Sequence, residues 1–82
     1  GLNDQTLSIW PNPAKDKIKI SLPDDGVYTI KIIDLKGSSK IETVINNQFS
    51  EMDVSTLNSG LYLITVTDQN TFNTVSKKVL IN

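Results

Sequence analysis

LSIWPNPAKDKIKI, Leu7 to Ile20, sets two prolines around one asparagine between two stretches of strand character. Leu7 to Trp10 reads as a short first strand, and Pro11 ends it because proline has no amide for a sheet ladder. From Lys17 the chain alternates strictly through Leu22, which turns Ile18, Ile20 and Leu22 toward a core and the lysines toward water. Pro11 and Pro13 stop the first strand from pairing onward and hold Asn12 in an extended or turning path. The stretch is therefore a corner, at which the chain passes from one sheet or edge to the next.

The same punctuation recurs about every ten residues, the spacing of an all-β sandwich or barrel. Val27 to Asp34 (VYTIKIID) is dense in β-branched and aromatic residues and reads as a central strand, with Tyr28, Ile30 and Ile32 on one face. Pro23 to Gly26 (PDDG) is a turn in which Asp24 and Asp25 bond nearby amides. Asp34 to Gly37 (DLKG) carries the favoured ends of a type I turn and predicts a hairpin into Ser39 to Ile45. Asn46 and Asn47 tolerate left-handed geometry and predict another tight turn. Phe49 to Val54 is the weakest strand, since Met52 and Val54 cannot both join Phe49 on one face without a bulge. Val54 to Gly60 is a polar loop with room for one helical turn capped by Ser55. Leu61 to Thr67 (LYLITVT) is the strongest strand, and after a turn at Asp68 to Thr71, Phe72 to Asn82 closes the domain. Seven short strands with short loops favour two antiparallel sheets packed face to face. The expected core is Ile9, Ile18, Ile20, Tyr28, Ile30, Ile32, Ile41, Leu57, Tyr62, Ile64, Val66 and Val79.

Composition narrows the chemistry. At 82 residues the chain is one small domain, expected to bury only about 60% of its unfolded surface. It contains no cysteine, histidine or arginine. Ser-His and Cys-His nucleophiles, imidazole or thiolate metal ligation and guanidinium clamps are therefore absent. The four glycines lie far apart, so there is no phosphate loop, and neither a cofactor nor a metal is expected. An enzyme is not expected either. Lysine and acidic residues nearly balance at a net charge of −1, with no stripe of one sign, which argues against a nucleic-acid or anionic-membrane surface. No apolar run reaches the roughly 20 residues needed to insert across a bilayer.

The fragments LSIWPNPAKDKIKI, IKIIDLKG, MDVSTLNSGLYLITVTD and VSKKVLIN, in this order, resemble the C-terminal sorting domain of the type IX secretion system, type A. Pro11, Asn12 and Pro13 match that family's first element, and Asp34 and Gly37 its second. Asp53, Leu57, Gly60 and Tyr62 match the third, and Lys77 and Lys78 with Val79, Leu80 and Ile81 the last. The resemblance implies an immunoglobulin-like antiparallel β-sandwich over residues 7–82, preceded by residues 1–6 as linker or remnant. It implies a signal that follows an N-terminal cargo domain, folds in the periplasm, is read by an outer-membrane translocon, and is removed at the cell surface by a sortase.

Within that resemblance, Lys77 to Ile81, Gly60 and Tyr62 are the expected contacts of the translocon or sortase. Pro11, Asn12, Pro13, Asp34, Gly37, Asp53 and Leu57 are expected to be structural. Each has a plainer reading. Gly60 supplies positive φ or close packing before its strand; Tyr62 is a core aromatic with its hydroxyl at the rim; Asp34 caps its own turn. Adjacent Lys77 and Lys78 must point to opposite faces, so one snorkels over apolar surface or meets a partner. A final strand at a sheet edge has unpaired backbone groups that can accept a partner strand or form a weak edge-to-edge dimer. The competing expectation is a fibronectin-like or carbohydrate-binding module of a secreted enzyme, for which the five aromatic residues offer two or three exposed platforms at most.

Overall fold

The computed structural model describes residues 1–82 and contains seven strands. They are β1 (Ser8–Trp10), β2 (Lys17–Ser21), β3 (Tyr28–Asp34), β4 (Ser39–Ile45), β5 (Phe49–Asp53), β6 (Gly60–Asp68) and β7 (Thr74–Ile81). One sheet has the order β1-β2-β5 and the other β4-β3-β6-β7, with every neighbour antiparallel. The chain begins in the three-stranded sheet, forms the β3-β4 hairpin in the other, returns for β5, and finishes with β6-β7. This is an all-β sandwich of the immunoglobulin-like kind.

Alternation decides which face each strand buries. Ile18 and Ile20 of β2 lie against Tyr28, Ile30 and Ile32 of β3 and Tyr62, Ile64 and Val66 of β6 in one apolar cluster. The two strands at the middle of the larger sheet are the most apolar, because both flanks and one face are covered. Asp34 ends β3 by accepting from the Lys36 and Ser38 amides at 2.9 Å each, and Gly37 follows with φ +91°. That is the turn expected of DLKG. Asp24 accepts from the Gly26 amide at 2.9 Å and from the Tyr28 hydroxyl at 2.7 Å, while Asp25 reaches across to the Gln48 amide at 2.7 Å. Both aspartates of PDDG thus serve the backbone.

Several expectations need correcting. Ile9, Ile41 and Leu57 are only partly buried, since β1 and β4 are edge strands and Leu57 sits in a loop. Leu2, Leu7, Ala14, Met52, Val54 and Ile81 join the core, and Leu22 is buried as the alternation of its strand required. Met52 and Val54 share the inner face of their segment, whereas Phe49 is 67% exposed, so β5 alternates with no bulge against β2. Asn46-Asn47 is not a left-handed hairpin turn: β4 and β5 belong to different sheets, and Phe72, φ +62°, is the one non-glycine residue with positive φ. Ser55 caps no helix; its amide instead donates to the Asp53 carboxylate at 2.8 Å, and the loop makes a single turn from Val54 to Leu57.

Candidate recognition site at the joined ends of the chain

β7 alternates so that Val75, Lys77, Val79 and Ile81 face the interior, while Thr74, Ser76, Lys78 and Leu80 face solvent. It is the last strand of its sheet. In an antiparallel pair, alternate residues aim both backbone groups at the neighbour and the others aim both away. Leu80 is of the second kind. Its amide donates to the Asn12 side-chain oxygen at 3.0 Å, and its carbonyl accepts from the Ala14 amide at 2.8 Å. The Asn82 amide then donates to the Ala14 carbonyl at 2.8 Å, completing a short parallel bridge between Ala14 and Ile81.

The corner at Pro11 to Pro13, whose two prolyl bonds are both cis, thus does not transfer the chain between sheets. β1 and β2 are neighbours in one sheet, and the corner is an excursion that caps the end of β7 in the other. Ser76 and Lys78, of the same parity as Leu80, keep an unpaired edge.

The other motifs converge on the same end. Across β6, Gly60 lies opposite Ile81, Leu61 opposite Leu80, and Tyr62 opposite Val79; Tyr62 is in turn opposite Asp34 of β3. Residues separated by up to 68 positions therefore form a continuous band from Asn12 through Leu80 and Leu61 to the DLKG turn. Gly60 has φ +155° and open space where a Cβ would sit, so its requirement is conformational and not steric. The Tyr62 ring is buried, and its hydroxyl donates to the Asn58 carbonyl at 2.7 Å, tying the loop before β6 to the core. Leu57 packs against the core margin in that loop. Leu61 and Leu80, 38% and 41% exposed, form an apolar pair on the outer face beside Lys78.

The acidic residues of the motifs, Asp34 at the end of β3 and Asp53 at the end of β5 in the other sheet, bond neighbouring backbone amides. The Asp34 carboxyl is held below the usual range, first by the Ser38 amide, then by the Lys36 amide and by the Lys40 ammonium 3.6 Å away. Asp53 is lowered by the Ser55 hydroxyl and amide.

Lys77 and Lys78 divide as alternation demands. Lys78 is exposed. Lys77 points inward, and its ammonium donates to the carbonyls of Asp4 at 2.9 Å and Leu7 at 2.6 Å. The backbone roles of Ala14, Asp4 and Leu7 had no signal in the sequence, because carbonyls and amides carry no residue code. Trp10 and Phe49 lie elsewhere, beside a shallow groove of about 240 Å³ on the outer face of the smaller sheet, with Lys19 and Glu51.

The chain resembles known proteins in both sequence and shape. It is 31% identical over 76 residues to an endo-acting ulvan lyase of Formosa agariphila, a match covering 92% of this chain and 14% of that protein. The fold superposes with a TM-score of 0.75, at 19% identity, on a part of PorZ, a bacterial surface component of the type-IX secretion system of Porphyromonas gingivalis. That match covers 95% of this chain and 12% of PorZ, so the chain spans about an eighth to a seventh of the proteins it matches. The sequence pattern of secretion system C-terminal sorting domains matches residues 8–82. The chain belongs to this family, the C-terminal sorting domains of the type IX secretion system.

Proposed function

We propose that the band joining Asn12–Ala14, Leu80–Asn82 and Gly60–Tyr62 is the surface by which translocon and sortase components recognise this tail after it has folded in the periplasm. The observation that supports the reading is the capping of Leu80 by Asn12 and Ala14, which makes the first and last motifs one element. A folded signal is read by shape, and this band displays exposed Leu80 and Leu61 beside exposed Lys78 on the outer face of the sheet. The cargo precedes it in the parent protein, and a sortase removes the tail at the cell surface. Residues 7–82 carry the signal, and the band itself performs no catalysis.

The test is a secreted fluorescent protein followed by residues 1–82, expressed in a bacterium that has the type IX system. Fluorescence at the surface or in the medium is the expected result. Retention of the folded fusion in the periplasm would overturn the reading. Changing Lys78 to Glu together with Leu80 to Ser should abolish export without unfolding, since both side chains are exposed.

A further inference from the structure

Residues before β1 form no strand, yet hydrogen bonds among themselves and to β7 tie them down. Asn3 accepts through its side chain from the amides of Gln5 at 2.8 Å and Thr6 at 3.0 Å. The Thr6 hydroxyl donates to the Gly1 carbonyl at 2.9 Å. The resulting turn buries Leu2 to 5% exposure and Leu7 to 1%. Lys77 then reaches from the inner face of β7 and donates to the Asp4 and Leu7 carbonyls. An ammonium donating to two carbonyls in a partly buried setting is a charge-assisted contact, stronger than a neutral pair. β1 and β7 are the edges of different sheets, so this contact closes one open side of the sandwich.

We infer that Gly1–Leu7 is a strap which the terminal strand holds shut through Lys77, shielding its peptide bonds from proteases until β7 is disturbed. The residues through which a preceding domain would join are thereby coupled to the strand at the far end of the chain. A partner that displaces β7 withdraws Lys77 and exposes the strap. The inference concerns the fold alone and does not rest on the sorting reading.

Thermolysin, which cuts on the amino side of leucine, tests it at the Gly1–Leu2 and Thr6–Leu7 bonds, followed by mass spectrometry on the 82-residue chain. Protease access through local opening follows the population of the open form. The intact chain should be cut at these bonds at least about tenfold more slowly than a free peptide of the same residues. Lys77→Met should raise that rate at both bonds by about fivefold or more, and Leu2→Ala, which removes the leucine recognised at Gly1–Leu2, should do so at Thr6–Leu7, with residues 8–82 resistant over the same time and the sheet signal in circular dichroism retained. Cleavage of the unaltered chain at the free-peptide rate overturns the inference, as does either folded variant behaving like the unaltered chain. If Lys77→Met loses the sheet signal, Leu2→Ala, which lies outside every strand, decides. Loss of the sandwich in both also overturns it, because the strap would then not open separately.

Discussion

Asn12 joins the two ends of the chain through one oxygen, and it is the residue whose role differs most from what its neighbours in sequence imply. Between two prolines it reads as a corner residue; in the fold its side chain takes the Leu80 amide, a contact across 68 positions. Asn12→Ala leaves that amide to water and should cost about 1 kcal/mol, typical of one net hydrogen bond, with faster hydrogen exchange at Leu80 as the local readout. Gly60 poses a different demand. With φ +155° and no neighbour to strike, Gly60→Ala should cost about 1 kcal/mol through backbone strain alone, measured by urea denaturation. The carboxylates set the response to acid. Asp24, Asp34 and Asp53 all have lowered pKa values when folded, caused first by the Tyr28 hydroxyl, the Ser38 amide and the Ser55 hydroxyl respectively. A depressed folded pKa means stability that is present above the unfolded value of about 3.9 and lost as pH falls through the folded values. The melting temperature should therefore hold from pH 7 to about 5 and fall below about 4, and Asp34→Asn should flatten that fall. Tyr28 acts in the opposite sense: burial first and Asp24 second raise its pKa, so its contribution persists below about 10 and is lost only as pH rises further.

At the scale of elements, the strands were largely legible because alternation and turn chemistry agree. KIKIS, YTIKIID and LYLITVT put their apolar residues where the structure buries them, and DLKG forms the turn its Asp and Gly require. What was not legible depends on backbone atoms or on contacts between distant segments. Nothing in Ala14 marks it as the partner of Ile81, and a polar run such as LNDQT does not show that Leu2 is buried in the core. The Asn46-Asn47 turn failed for a related reason: local propensity cannot show that the next strand belongs to the other sheet. These points reshape how β7 should be probed. Removing Leu80–Asn82 deletes Ile81, which is 1% exposed, along with the Asn12 and Ala14 contacts, so truncation perturbs the fold as well as the signal. Ile81→Ala alone should cost about 2–4 kcal/mol by leaving a cavity at the strand end. Lys78→Glu with Leu80→Ser should change the urea midpoint little, as exposed substitutions usually do, while export of a fused reporter is lost. Export unaffected by that pair would move recognition off this band.

For the whole molecule, the absence of cysteine means one apolar cluster of 16 buried residues carries the fold without a cross-link. Total stability for a domain of this length is about 4–12 kcal/mol, scaled from typical values per residue. Ile30 sits near the centre of that cluster, fully buried on β3 between Thr43 of β4 and Val66 of β6. Ile30→Ala should cost about 2–5 kcal/mol, which is half or more of the stability at the lower end of that range. Leu35, 70% exposed in the DLKG turn, provides the comparison: Leu35→Ala should stay within about 0.5 kcal/mol. Urea unfolding monitored by Trp10 fluorescence measures both, and an unchanged slope with a lowered midpoint would assign the loss to the native core. Equal shifts for the two variants would mean that stability is spread over the surface and not concentrated between the sheets. Because β3 and β6 also carry the band at their Asp34 and Gly60 ends, the destabilised Ile30→Ala chain should lose reporter export in proportion to its unfolded fraction, even with every residue of the band unchanged.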